Sequence, residues 1–173
     1  MDRLEEAVAR FRQGDPAAFQ EIVEGTSDLL VRLCARILGN PEDAEDAVQD
    51  AYLKAYRALL QGQFDQRSTL KTWLYRIATN AALDLLRSRK ASPPAESALP
   101  AVGHEQAEQR LALSELAGWL GGLPEEQRLA LLLSAVEGLP SAEIGEILGC
   151  SVGAVEQRLV RARTVLRKKR GDG

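Results

Sequence analysis

Apolar residues along this chain recur at steps of three and four and never in strict alternation, so the pattern predicts helices and no strand. Leu4, Val8 and Phe11 give one face to a short helix over Leu4–Gln13, which Gly14 ends. Asp15-Pro16, a cap followed by a proline suited to a first turn, restarts a helix. That helix carries Phe19, Ile22, Val23, Leu29, Leu30, Leu33, Ile37 and Leu38, and Gly25-Thr26-Ser27 is expected to kink or break it. Gly39-Asn40-Pro41 repeats the stop-and-cap grammar. The next helix runs from Pro41 to about Gln61, with Ala44, Val48, Ala51, Tyr52, Ala55 and Leu59 as its buried stripe. A loop over 62–69 feeds an uninterrupted helix from Leu70 to Lys90, capped by Ser68 or Thr69, whose buried face is Leu70, Leu74, Ile77, Ala78, Ala81 and Leu85.

After Lys90 the pattern lapses. The segment ASPPAESALPAVGHE holds three prolines among small residues, and 91–104 is expected to be a flexible linker. Periodicity resumes near Glu105 with Ala107, Leu111, Leu113, Leu116 and Leu120, and Gly121-Gly122 stops it. Three more helices follow: Pro124–Glu137 with Leu129, Leu132, Leu133 and Val136 inward, Ser141–Leu148, and Val152 to about Lys169. The expected fold class is all-α, with two small helical domains (1–90 and 105–173) joined by the linker and a helix-turn-helix in the second.

The helix-turn-helix rests on LPSAEIGEILGCSVGAVEQRLVRAR. Two helices that cross closely need a small residue at the crossing, here Gly145, and the turn needs a residue tolerant of a left-handed conformation, here Gly149. Ile144, Ile147 and Leu148 share a core with Val152, Val155, Leu159, Ala162 and Leu166. The alternative is an ordinary helical hairpin. A helix-turn-helix lays the start of its second helix in the major groove, which exposes Ser151, Gly153, Ala154, Glu156, Gln157, Val160 and Arg161 to base edges. Arg suits guanine, Gln adenine, Glu a cytosine amine and Val a thymine methyl. Arg158, Arg163, Arg167 and the run Lys168 to Arg170 suit phosphates instead.

Charge sharpens this picture. The net charge of −3 does not advertise nucleic-acid binding, but 158–170 holds seven cations and no acid, and acids cluster at 42–50 and 96–115. On 70–90 the cations Lys71, Arg76, Arg87, Arg89 and Lys90 share a helix with Trp73, Tyr75 and Asn80, against the single acid Asp84. Aromatics for stacking, cations and a side-chain amide are what a single-stranded nucleic-acid surface needs. A packed amphipathic helix with solvated charges is the plainer alternative. On 41–61 the exposed Glu42, Asp46, Gln49, Asp50 and Lys54 are either a solvated face aided by the helix dipole or a docking surface for a basic helix.

Two distant cysteines, Cys34 and Cys150, and one histidine, His104, offer neither a disulfide framework nor a zinc ligand set. The start MDRLEEAVARF has no signal-peptide apolar run, and no stretch approaches a membrane span, so a cytoplasmic location without membrane insertion is expected. No cofactor is expected.

Two blocks together resemble a known family. EDAEDAVQDAYLKAYRAL (42–59) followed by TWLYRIATNAALDLLRSR (72–89) resembles region 2 of bacterial RNA polymerase sigma factors of the extracytoplasmic-function (ECF) group. LPEEQRLALLLSAVEGLPSAEIGEILGCSVGAVEQRLVRARTVLRK (123–168) resembles their region 4. The resemblance implies a promoter-specificity subunit that binds core RNA polymerase and promoter DNA and is held by an anti-sigma factor. It implies core docking through Asp46, Gln49, Asp50 and Lys54. It implies contact with the melted −10 strand through Phe64, Arg67, Ser68, Lys71, Trp73, Tyr75, Arg76, Asn80 and Arg87. It implies reading of the duplex −35 element through Ser151, Val152, Glu156, Gln157, Arg158, Val160, Arg161, Arg163 and Lys168. The linker acids Glu96, Glu105 and Glu108 would then mimic nucleic-acid charge in a basic channel, or simply solvate a tether. The chain departs from the family where Glu156 and Gln157 stand at positions often held by Lys or Arg and Ser, so no −35 sequence is carried over. Gln66, Ser68 and Leu70 likewise depart from the usual −10 loop. A stand-alone helix-turn-helix repressor leaves the aromatic-basic helix without a purpose, and an enzyme lacks any phosphate loop, metal cluster or nucleophile–histidine pair in the sequence.

Overall fold

The computed structural model describes residues 2–90 and 118–171, which fall in two compact units that divide the chain between Pro93 and Pro94. The expected linker, and all but the last turn of the helix expected from near Glu105 to Leu120, lie outside the described residues. No strand occurs among the described residues.

The first unit has four helices: α1 (Arg3–Arg12), α2 (Ala17–Leu38), α3 (Pro41–Leu60) and α4 (Leu70–Lys90). Helices α2, α3 and α4 pack against one another, and α1 lies on α2. Their starts follow the capping residues. Asp2 accepts from the Leu4 amide, Asp15 from the Ala17 amide, and Asn40 from the Glu42 amide at 2.9 Å, with Pro41 at the first position. Gly39, at φ +70°, ends α2 in the left-handed conformation that its missing Cβ permits. Val8, Ile22, Leu30, Leu33, Leu59 and Leu74 are fully buried at the centre, each worth about 1.5–3 kcal/mol of apolar transfer.

The expected kink or break at Gly25-Thr26-Ser27 does not interrupt the helix, and α2 runs through these residues. Two contacts occupy these residues. A Cβ at Gly25 would stand 2.9 Å from Leu4 Cδ2, so the glycine is the seat for α1. Thr26 returns its hydroxyl to the Ile22 carbonyl at 2.7 Å within the helix and pairs with the Tyr52 hydroxyl at 2.7 Å. Burial raises the Tyr52 hydroxyl pKa, with the Thr26 hydrogen bond opposing.

The second unit has a helical turn over 118–121, then α5 (Glu125–Ala135), α6 (Ser141–Leu148) and α7 (Val152–Gly171), which pack as a three-helix cluster. Leu133, Ile144, Ile147 and Val155 are fully buried at its centre. Two expected core positions face outward instead. Val136 is 52% exposed because α5 stops at Ala135 and leaves it at the cap, and Val152 is 48% exposed because it is the first residue of α7.

Candidate nucleic-acid and polymerase interfaces

The turn between α6 and α7 builds the helix-turn-helix. Gly149 takes φ +67° and the Cys150 amide returns to the Gly145 carbonyl at 2.9 Å. Ser151 then caps α7 by accepting from the Ala154 amide at 3.1 Å. Gly153, Glu156, Gln157, Val160, Arg161 and Thr164 lie exposed along α7, with Val160 as much as 60% accessible. Arg163 and Lys168 are exposed as well. Arg158 differs. Its guanidinium reaches Glu126 of α5 at 3.0 Å and the Cys150 sulfur at 3.0 Å, with the side chain only 19% exposed. In this structure Arg158, expected at a phosphate, ties α7 to α5 and to the turn.

In the first unit, Asp46, Gln49, Asp50 and Lys54 are all exposed on α3. They share a strip with Leu53 (58% exposed), Arg57 and Leu60 (63% exposed), spaced by threes and fours. Lys54 Nζ sits 2.8 Å from Asp50 one turn back and 4.0 Å from Asp84 on α4. Such half-exposed pairs orient side chains more than they stabilise the fold.

Between α3 and α4 the surface sinks into a hollow of about 590 Å³. Trp73, Arg76 and Asn80 enter it from α4, and Lys54, Arg57 and Gln61 from α3, with Gln63 at the loop. Arg57, Gln61 and Gln63 escaped the sequence reading, although 57 and 61 continue the α3 strip at helical spacing. The loop is held in place from several sides. Thr69, not Ser68, caps α4 by accepting from the Thr72 amide at 3.1 Å. Asp65 accepts from the Arg67 amide at 3.1 Å and pairs with its guanidinium at 3.0 Å, and Gln66 takes φ +59° to close this turn. Ser68 is half-buried, while Arg67, Lys71 and Arg87 are exposed.

Two aromatic positions belong to the interior. Phe64 is 4% exposed, its ring 5.0 Å from that of Trp73, with the Arg12 guanidinium over the ring and hydrogen-bonded to the Phe64 carbonyl. Tyr75 is 3% exposed. Stacking of a base on Tyr75 is thus corrected to a packing role, because α4 is covered by both α2 and α3 and buries more than one stripe. Trp73 is half-buried and backed by Phe64, which leaves it as the aromatic wall of the hollow. Among the described residues, no group of three or more His, Cys, Asp or Glu side chains gathers in a metal-holding arrangement, and no helix is long and apolar enough to cross a membrane.

Comparison with known proteins decides the family. A model of sigma-70 region 2 matches residues 22–92, and a model of sigma-70 region 4 matches residues 113–166. The chain is 34% identical over 188 aligned positions to the ECF RNA polymerase sigma factor SigW of Bacillus subtilis, spanning 98% of this chain and 97% of that one. This chain belongs to the ECF sigma factors. The ECF sigma-E factor of Escherichia coli is also 34% identical, over 94% of this chain and 91% of its own length. The solved structure of CnrH in complex with the cytosolic domain of CnrY superimposes with a TM-score of 0.74 at 30% identity, covering 99% of both chains. The sigma factor RpoE of Bartonella quintana, solved with the anti-sigma factor NepR, gives a TM-score of 0.65 at 27% identity over 87% of this chain and 94% of that one. As an ECF sigma factor, the chain is a transcription initiation subunit of RNA polymerase.

Proposed function

We propose a division of labour along this sigma factor. Residues 1–90 dock on core polymerase and hold the melted −10 strand, residues 105–173 read the duplex −35 element, and 91–104 tether the two. The observation that carries this reading is the hollow between α3 and α4. It sets an aromatic wall (Trp73), a side-chain amide (Asn80) and cations from two helices (Lys54, Arg57, Arg76) around one concavity, next to the exposed α3 strip. Trp73 offers a face for an unstacked base, Asn80 can donate to and accept from a base edge, and the cations suit the phosphates on either side. Phe64 and Tyr75 serve from the interior, and Arg67, Lys71 and Arg87 add exposed positive charge on the loop and α4.

On α3, Asp46, Gln49 and Asp50 around Leu53 suit a partner helix with basic and apolar positions. The second unit presents Val152, Glu156, Gln157, Val160 and Arg161 to a major groove and Arg163 and Lys168 to phosphates, with Ser151 as the cap. An anti-sigma partner in the cytoplasm is part of the same reading, supported by the solved complex of the Bartonella quintana relative. The protein acts by binding and placing polymerase, not by catalysing a reaction of its own.

Run-off transcription with purified core polymerase and a promoter library tests this reading. Initiation that needs the chain and depends on both elements is expected, and Trp73→Ala should cut it on duplex promoters far more than on a pre-melted bubble. Absence of any chain-dependent initiation would end the proposal.

A further inference from the structure

Ser141, the first residue of α6, donates a hydrogen bond to the carboxylate of Glu156 on α7. The pair spans the helix-turn-helix, in which α6 comes close to the backbone of the turn at Gly145. Glu156 is exposed and lies beside Val160 on the surface that α7 turns outward. Among the described residues it forms no ion pair, and its partner is the neutral hydroxyl. Arg158, two residues on, is committed to Glu126 and Cys150. The carboxylate therefore meets DNA with its charge unneutralised. Phosphates repel such a group, so a groove-facing acid weakens binding unless it accepts a hydrogen bond from a base. A carboxylate that accepts from Ser141 keeps lone pairs free for a second donor. The hydroxyl also restricts the rotamers of a side chain that would otherwise swing free on the helix surface.

We infer that Glu156, held by Ser141, is a specificity-determining residue that accepts a hydrogen bond from an exocyclic base amine in the duplex element read by α7. The amine is cytosine N4 or adenine N6. Guanine O6 and thymine O4 present lone pairs to the carboxylate and are rejected at that position. Glu156 is the base contact and Ser141 a positioning residue. The inference rests on the reading of α7 as the −35 reader.

Holoenzyme made from the full chain and core polymerase, assayed on promoters with each −35 position varied in turn, tests it. One position should favour cytosine or adenine over guanine and thymine by about tenfold or more, and which amine wins separates N4 from N6. Glu156→Gln adds a donor and removes the charge, so it should admit guanine or thymine and shrink the preference there to within about threefold. Ser141→Ala should weaken the preference at that same position and leave the others unchanged, and Ser141→Thr should keep it. A general loss of stability would not single out one base position. Equal changes on every −35 variant, or a preference untouched by Glu156→Gln, would overturn the inference while leaving the −35 reading standing. A wild-type holoenzyme indifferent to the whole −35 element would overturn both.

Discussion

A Cβ placed on Gly145 would stand 2.7 Å from the carbonyl oxygen of Cys150, closer than side-chain carbons approach backbone. The glycine sets how near α6 comes to the turn before α7, and so fixes the angle at which α7 is presented. A side chain there must push against backbone, not against the end of a flexible side chain.

Gly145→Val should therefore loosen the second unit. Overpacking of a tight contact costs about 1–3 kcal/mol, and replacing a helical glycine returns less than about 1 kcal/mol of that. Hydrogen exchange should accelerate at the amides of α6 and α7 and stay unchanged in α2 and α4. Transcription should lose its −35 dependence while core binding persists. Unchanged protection across 141–166 would mean that the turn yields at no cost.

On α3, Asp50→Arg combined with Gln49→Ala should reduce co-purification with core polymerase. Both side chains point outward, and the Asp50–Lys54 pair they disturb is about half exposed, so the fold should keep its helical signal. Leu53→Asp should act in the same direction, because an apolar residue that is 58% exposed has most to gain from a partner. Wild-type recovery of core by the double variant would move the docking face elsewhere.

The helices were legible because capping residues and apolar spacing agree. Asn40-Pro41 and Gly39 mark one junction, and Gly149 and Ser151 another, each by a local rule. What escaped the sequence depends on two elements at once. Tyr75, Thr79 and Leu83 lie off the main stripe of α4 and are still buried, since α2 and α3 both cover that helix. Gly25 reads as a helix breaker until Leu4 is seen to occupy the space above it. Arg158 looks like one more cation in a basic run, and only the position of Glu126 on α5 gives it another partner. The hollow itself joins residues of α3 to residues of α4, a pairing that no spacing along the chain records.

Cys34 is fully buried, with its sulfur 3.7 Å from the Ala78 carbonyl, and burial pushes its thiol from an ordinary 9.0 up to about 12. The folded state thus holds the proton longer than the unfolded state does. This contribution to stability is complete below about pH 9 and declines from there toward pH 12, by up to about 1.4 kcal/mol per unit. Urea unfolding at pH 8 and pH 10.5 should show the decline in wild type, and a smaller one in Cys34→Ala. At pH 8 a thiol reagent should modify the half-exposed Cys150 well before Cys34. Equal labelling rates in the native protein would contradict this burial.

Three cations on α7 separate three jobs. Arg161 lies one turn beyond Gln157 and is exposed midway along α7, long enough to reach a guanine as a bidentate donor. Such a contact is worth about 1–3 kcal/mol of discrimination. Lys168 is exposed nearly two turns further on, away from the end that enters the groove, where only phosphate is within reach. Arg158 is turned inward to Glu126 and Cys150. In holoenzyme, Arg161→Ala should relax −35 preference at one or two positions. Lys168→Ala should weaken all promoters about equally and lower the salt slope by about one unit. Arg158→Ala should leave the salt slope nearly unchanged and instead speed hydrogen exchange where α5 meets α7. A drop in salt slope for Arg158→Ala as large as for Lys168→Ala would return Arg158 to the phosphates. Uniform loss from Arg161→Ala would make it a backbone contact as well, and base reading would fall to Glu156 and Gln157.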